Sequence, residues 1–310
     1  MSEHPFHGTG KRFSSYAYFL KKTYGGRIAK VPLDGSFTCP NRDGTKGTGG
    51  CIYCSARGSG DFIAGPSRSL REQFDSYCAT LSGKWSPVGY IPYFQSFTGT
   101  YAPPQRLREL YTEALALPHT VGLAIATRPD CLEDSICAVL AEFAGRTDLT
   151  IELGVQTVWK DTADRCNLCH CFADTVRAIE QLRRLPLQIC VHLINGLPGE
   201  TPEQMVQSAQ TVGELGIDAV KLHLLHVLRG TPLAAWQDYT CLTKEQYISI
   251  VCDQLEVLPP SVVIQRLTGD GRGEDLLAPD WSRRKREVLN GIDQELKRRD
   301  SWQGKRVQMG

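Results

Sequence analysis

The stretch LQICVHLINGLPGETPEQMVQSAQTVGELGIDAVKLHLL, residues 187–225, reads as strand, turn, helix and strand in succession. Residues 187–195 and 217–225 are apolar almost throughout, the pattern of strands buried on both faces. Between them Thr201 stands as an N-cap, Pro202 at the first helical position and Gln204 where a capping box places it, predicting a helix over 202–215. Two such strands joined by a helix form a parallel pair. The same alternation extends outward. Strand-like runs fall at 27–33, 88–95, 120–127 and 149–156, and amphipathic segments at 70–81, 105–117, 132–144 and 172–185. Six strands alternating with helices give an α/β fold with a parallel sheet, either doubly wound or closed as an incomplete barrel. No strand ends in G-x-G-x-x-G and no G-x-x-x-x-G-K-[ST] occurs, which argues against a nucleotide fold of the Rossmann or P-loop sort.

The first strand runs into a loop holding Cys39, Cys51 and Cys54, spaced C-x11-C-x2-C. The gap carries Gly44, Gly47, Gly49 and Gly50, so the backbone can wrap a bulky group closely. Three thiolates can hold three corners of a [4Fe–4S] cube and leave one iron open, whereas zinc would want a fourth ligand. Spacing alone leaves both open. Tyr53 puts a ring between the last two thiols. Glu152 opens a buried strand, where a lone carboxylate is costly, so it requires a cationic or ligand partner. His223 and His226 lie three apart, which on a regular strand sends them to opposite faces. They are the candidates for proton transfer, no catalytic residue being otherwise assigned.

Size and charge bound the rest. The 310 residues are 41% hydrophobic, enough for a large core, with net charge +1. From Trp281 onward nine Lys and Arg face four Asp and Glu, a local +5 that is either a solvated helix face or a phosphate-contacting surface. Residues 1–12 are polar and no run approaches a membrane span, so a cytoplasmic location without membrane contact is expected, with the 12 cysteines as reduced thiols. The expected division is an N-terminal segment 1–26, a core barrel 27–258 and a basic C-terminal module 259–310.

Several segments share a common order with radical S-adenosylmethionine (radical SAM) enzymes. They are the cysteine loop, F-T-G-T-Y-A-P at 97–103, A-T-R-P-D at 126–130, E-L-G-V-Q-T at 152–157 and H-L-I-N-G-L-P-G-E-T at 192–201. K-L-H-L-L-H-V-L at 221–228, R-L-T-G-D at 266–270 and W-Q-G-K at 302–305 complete the set. The chain resembles the bacterial family containing YhcC and YtqA, and several segments are similar to the radical SAM domain of the Elongator catalytic subunit, which modifies the wobble uridine of tRNA. The resemblance implies a partial (β/α)6 TIM-like barrel with a C-terminal extension. It implies that Cys39, Cys51 and Cys54 bind [4Fe–4S] and that the open iron chelates S-adenosylmethionine. By the same resemblance Tyr53, Thr98, Gly99, Thr100, Gln156 and His192 contact that cofactor, with residues 197–199 passing the adenine.

The implied activity is reductive cleavage to a 5′-deoxyadenosyl radical that modifies a C5 substituent of tRNA wobble uridine. An electron donor such as flavodoxin or ferredoxin follows as a partner. The barrel and short tail leave no room for the acetyltransferase domain of the Elongator subunit, so remodelling of an installed group is expected. The alternatives are radical chemistry on a small metabolite or protein side chain, and a non-catalytic metal-binding module for nucleic acid. One departure stands out. The family motif N-R-x-H reads N-L-C-H here, with Leu168 in place of arginine and Arg165 a possible substitute. The surrounding Cys166, Cys169, His170 and Cys171 have spacing that suits a second metal site, three of them sharing a face if the segment is helical.

Overall fold

The computed structural model describes residues 4–58, 60, 68–81, 83, 85–270 and 273–307. In chain order the elements are α1 (Tyr16–Tyr24), β1 (Ile28–Leu33), α2 (Leu70–Leu81), β2 (Gly89–Phe94), α3 (Pro104–Leu115), β3 (Gly122–Thr127), α4 (Asp134–Ala144) and β4 (Asp148–Gln156). They continue with α5 (Lys160–Arg165), α6 (Phe172–Leu182), β5 (Gln188–Asn195), α7 (Pro202–Glu214), β6 (Ala219–Leu224) and β7 (Val227–Leu228). The last are α8 (Lys244–Val257), β8 (Val263–Arg266), β9 (Leu276–Ala278) and α9 (Lys285–Arg298).

Strands β1 to β6 and then β8 lie side by side in sequence order, every pair parallel. A sheet that adds each new strand at the same edge never reverses, so it curls into a half-barrel rather than the doubly wound alternative. The capping box foreseen at Thr201 forms, with Thr201 Oγ1 accepting from Gln204 N. The large apolar core lies between the outer sheet face and its helices, filled by Phe94, Tyr111, Phe143 and the β-strand aliphatics.

The sheet carries a seventh strand beyond the six read from the sequence. V-I-Q-R of β8 is four residues long and half polar, too short for a periodic signal, yet it pairs with β6. The helix α1 was also missed; it brings Leu20 against Ile28, Ile91 and Tyr93 and so closes the lower end of the lumen. W-Q-G-K is a structural staple. Gln303, fully buried, accepts from Ser14 N and donates to the carbonyls of Pro259 and Val262, tying the tail to both ends of the core. Among the described residues no helix is long and apolar enough to cross a membrane.

Candidate active site

The C-terminal ends of the parallel strands form the rim where α/β folds bind ligands. The cysteine loop sits on this rim between β1 and α2. Its turns are held internally, Cys54 N donating to Cys51 O at 3.0 Å and Arg42 N to Cys39 O at 2.8 Å. Burial pushes the Cys51 thiol up to about 12, and the neighbouring sulfurs of Cys54 and Cys39 act in the same direction, so the three thiols crowd one space. They are nonetheless not a close trio. Among the described residues the set with all ligand atoms within 4.8 Å is Glu152, Cys190 and His192, not these cysteines. Tetrahedral zinc would bring its sulfurs to about 3.8 Å of one another, given Zn–S near 2.3 Å. A cube that puts an iron behind each sulfur tolerates the wider spacing, so the loop fits a cluster better than a single ion.

The segment F-T-G-T packs directly on the loop. Thr98 N donates to Thr38 O at 3.3 Å, and the Arg42 guanidinium lies 5.5 Å over the Phe97 ring while its Nη2 reaches the Cys54 and Ser55 carbonyls. Gly99 is required here, since a Cβ would stand 2.8 Å from the Ala126 carbonyl oxygen. Thr100 Oγ1 shares a 2.5 Å hydrogen bond with Thr127 and donates to Cys131 O. Among the described residues, Asn41 Oδ1, Tyr53 Oη, Ser96 Oγ and Thr98 Oγ1 are buried at the rim with no hydrogen-bond partner. Such atoms are rare in folded proteins and mark where a bound group belongs. Gln156 closes β4 at a register shift, with φ of 70°. That backbone region is unusual for a residue with a side chain and clusters at functional sites.

The segment 166–171 is not helical. α5 ends at Arg165, and Asn167 and Cys169 both take positive φ. The expected shared face does not form: Cys166 is fully buried in the apolar cluster with Ile52 and Leu197, while Cys169 and Cys171 are exposed. The segment instead braces the cysteine loop. Cys166 O accepts from Ile52 N, and Asn167 Nδ2 donates to the carbonyls of Thr48 and Gly50. Arg128, held by Asp130 at 2.9 Å, donates to the carbonyls of Leu168 and Cys169. Leu168 fills the apolar cluster. Arg165 lies instead over the Gly196–Gly199 turn, donating to Pro198 O at 3.1 Å, where a Cβ on Gly199 would collide with its guanidinium. This turn and Trp236, Asp238 and Tyr239 border a cleft of about 500 Å³. A neighbouring one of about 680 Å³ extends toward Lys244, Trp281 and Arg284.

Below the rim the lumen holds charges that the motif reading missed. Glu152, fully buried, accepts from Lys30, Lys221 and His192 Nε2, the last at 2.8 Å. Burial pushes the Glu152 carboxyl up, but Lys221 and Lys30 outweigh it and hold it well below the usual range. The required partner is thus a pair of lysines. Their signal was a lone Lys inside each of two apolar strands, A-K-V and V-K-L. His192 therefore points down into this network, and burial with Lys221 lowers its pKa to about 4. His223 lies against His192, ring centres 5.1 Å apart. Strand β6 stops at Leu224, so the alternation invoked for His226 ends before it; His226 packs on Gly269. Among the described residues, the Nε2 atoms of both His223 and His226 are buried without a partner.

Comparison with known proteins gives the following. The family model "Radical SAM superfamily" matches residues 43–212 and the "Radical_SAM C-terminal domain" model residues 217–298. YtqA of Bacillus subtilis (strain 168) is 44% identical over 304 residues, 97% of this chain and 94% of that one. The tRNA uridine(34) acetyltransferase of Methanocaldococcus jannaschii is 31% identical over 157 residues, 48% of this chain and 28% of that protein. Among solved structures, the archaeal Methanocaldococcus infernus Elp3 superposes with a TM-score of 0.66 at 17% identity, covering 89% of this chain and 64% of that one.

Proposed function

The chain belongs to the radical SAM superfamily, and from that premise we propose that it modifies a C5 substituent of the wobble uridine of tRNA. The observation that carries the reading is the three-cysteine loop set beside buried, partnerless polar atoms on the strand-end rim. Membership implies a [4Fe–4S] cluster, which Cys39, Cys51 and Cys54 would hold, and S-adenosylmethionine beside it. When bound, these supply an electron and a sulfonium whose cleavage gives a 5′-deoxyadenosyl radical able to take a hydrogen atom from substrate.

The chain's own residues do the rest. The Thr98–Gly99–Thr100 backbone offers close approach for the methionine end, with Tyr53 and Gln156 as further contacts, while His192 is held below by Glu152. Arg165 fixes the Gly196–Gly199 turn, the proposed adenine support. Aromatic and aliphatic side chains of α1 close the lower lumen and exclude water from a reactive species.

The tRNA part rests on the likeness to tRNA uridine(34) acetyltransferase, and on the aromatic-edged cleft beside the Gly196–Gly199 turn, where an extruded base could enter. An electron donor of the flavodoxin or ferredoxin kind would be needed. One observation favours a second reading, radical chemistry on a small metabolite. Most cations of the C-terminal tail are engaged in ion pairs, as Arg283 with Asp280, Lys285 with Asp270 and Arg299 with Asp253. The test is 5′-deoxyadenosine release by anaerobically reconstituted protein with reductant, S-adenosylmethionine and bulk tRNA from a strain lacking the gene. Release that rises with tRNA supports the proposal. Release indifferent to tRNA moves the substrate to metabolites or proteins. No release from cluster-loaded protein favours a non-catalytic binding module.

A further inference from the structure

The lumen floor has more positive than negative charge. Lys30 on β1 and Lys221 on β6 face Glu152 on β4, while Arg266 on β8 lies 3.5 Å from Asp270, which is shared with Lys285 at 2.6 Å. Lys30 has two acceptors, Glu152 and Gln265. For Lys221 Nζ, Glu152 is the one acceptor found among the described residues, leaving two of its three N–H bonds unmatched. Both lysines sit about 5 Å over the Tyr93 ring, a face that attracts cations but cannot neutralise them. The titration behaviour agrees. Burial pushes Lys221 down and Glu152 only partly offsets it, with Lys30 adding to the depression, for a value of about 8. One carboxylate cannot compensate two ammoniums. Beside His192, His223 Nε2 is buried with no hydrogen-bond partner among the described residues.

Buried charge left uncompensated is expensive, and a network built purely for stability would be balanced. From the arrangement of Lys221 and Lys30 around one carboxylate, with His223 beside His192, we propose that the lumen floor is a subsite for an anionic group of the substrate, a carboxylate-sized set of oxygens. Lys221 donates to one oxygen with its spare N–H bonds, and His223 donates to another when its proton is on Nε2. Glu152 fixes both lysines and keeps the subsite from holding too tightly. In this way the substrate is anchored by its charged end while a neighbouring C–H bond is held toward the rim. The inference deepens the proposed function, specifying the charge of the group to be remodelled, but its test does not use tRNA.

The test is the melting temperature of cluster-loaded protein, kept anaerobic, titrated with sodium acetate against sodium chloride at constant ionic strength. A ligand that binds the folded state raises that temperature with concentration. Acetate should stabilise the wild type more than chloride does. Lys221→Met should weaken the apparent acetate affinity by about tenfold or more, as loss of one member of a buried charge pair does. Glu152→Gln should strengthen it, because removing the negative charge raises the excess. Lys30→Met serves if Lys221→Met does not fold, and should act in the same direction. Equal response to acetate and chloride, or the same acetate response in wild type and both charge variants, overturns the subsite. Opposite shifts in the two variants without tRNA-dependent release would keep the subsite and discard the tRNA reading. Release stimulated by tRNA without the charge signature would do the reverse.

Discussion

At the rim of the half-barrel, Asn41 Oδ1, Tyr53 Oη, Ser96 Oγ and Thr98 Oγ1 are buried without a partner among the described residues. At the floor, Glu152 takes hydrogen bonds from Lys30, Lys221 and His192. Each unmatched rim atom forfeits about 1–3 kcal/mol of hydrogen bonding, so the rim is not built to stand by itself. The floor binds its carboxylate fully and leaves surplus donors. On the proposed function the rim's chemistry comes from a bound group, while the floor's charges belong to the chain.

The widest gap between the two regions should open at the cysteines. On the proposed function, changing Cys39, Cys51 or Cys54 to alanine removes a cluster ligand while leaving the main core intact. Iron content after reconstitution should fall to background and 5′-deoxyadenosine release by about three orders of magnitude or more. The urea midpoint should barely move. A variant that keeps its iron, or one that unfolds, would erase the distinction.

Glu152 is the converse case. Glu152→Ala strands two buried ammoniums and should lower stability by about 3–5 kcal/mol, read from urea unfolding of protein without cluster. The sign of its pH dependence is fixed. A carboxyl with a depressed folded pKa contributes its stability above the ordinary value near 4.5 and loses it as pH falls below that. Acid unfolding of the variant should accordingly be shallower than that of the wild type.

Glu200, beside the Gly196–Gly199 turn at the rim, sharpens the comparison because it is a buried carboxyl with no lysine to pair with among the described residues. Burial pushes its carboxyl up to about 7, against hydrogen bonds to Thr157 and Thr162. A raised folded pKa gives stability that is full below about 4.5 and is lost as pH rises to about 7. Across that window the wild type should lose roughly 3 kcal/mol relative to Glu200→Gln, measured by urea midpoints at pH 4.5 and 7.5. Parallel profiles would mean that Glu200 is already ionised and paired.

What could be read from the sequence follows the same division. The parallel order of β1 to β6 was legible because strands buried on both faces are written as unbroken apolar runs. β8 was not, because four residues of mixed polarity carry no period. The cysteine loop was legible by residue type and spacing. The segment 166–171 misled, since its helical spacing ignored the positive φ of Asn167 and Cys169, which only the packing on the loop imposes. The lysines beneath Glu152 were visible as charges in apolar strands, but their convergence needs the curl of the sheet, a relation among residues about 70–190 positions apart.

The C-terminal tail supplies the smallest effect and the finest test of where substrate contact lies. Its net +5 suggested a phosphate-contacting face, yet Arg284 pairs with Glu287, Arg298 and Arg299 with Glu295, and Arg306 with Glu256. Exposed pairs of this kind are worth little and can exchange for phosphate, so pairing weakens the argument without removing it. Arg286 and Lys297 on α9 are exposed and make no ion pair among the described residues. If α9 tracks an RNA backbone, the double variant Arg286→Ala, Lys297→Ala should weaken tRNA binding by about tenfold or less, equally for all tRNAs, and reduce the salt slope by roughly 1–2. Deoxyadenosine release at saturating tRNA should stay unchanged. An unaltered salt slope would leave α9 as a solvated helix and move recognition to the Trp236 and Trp281 clefts.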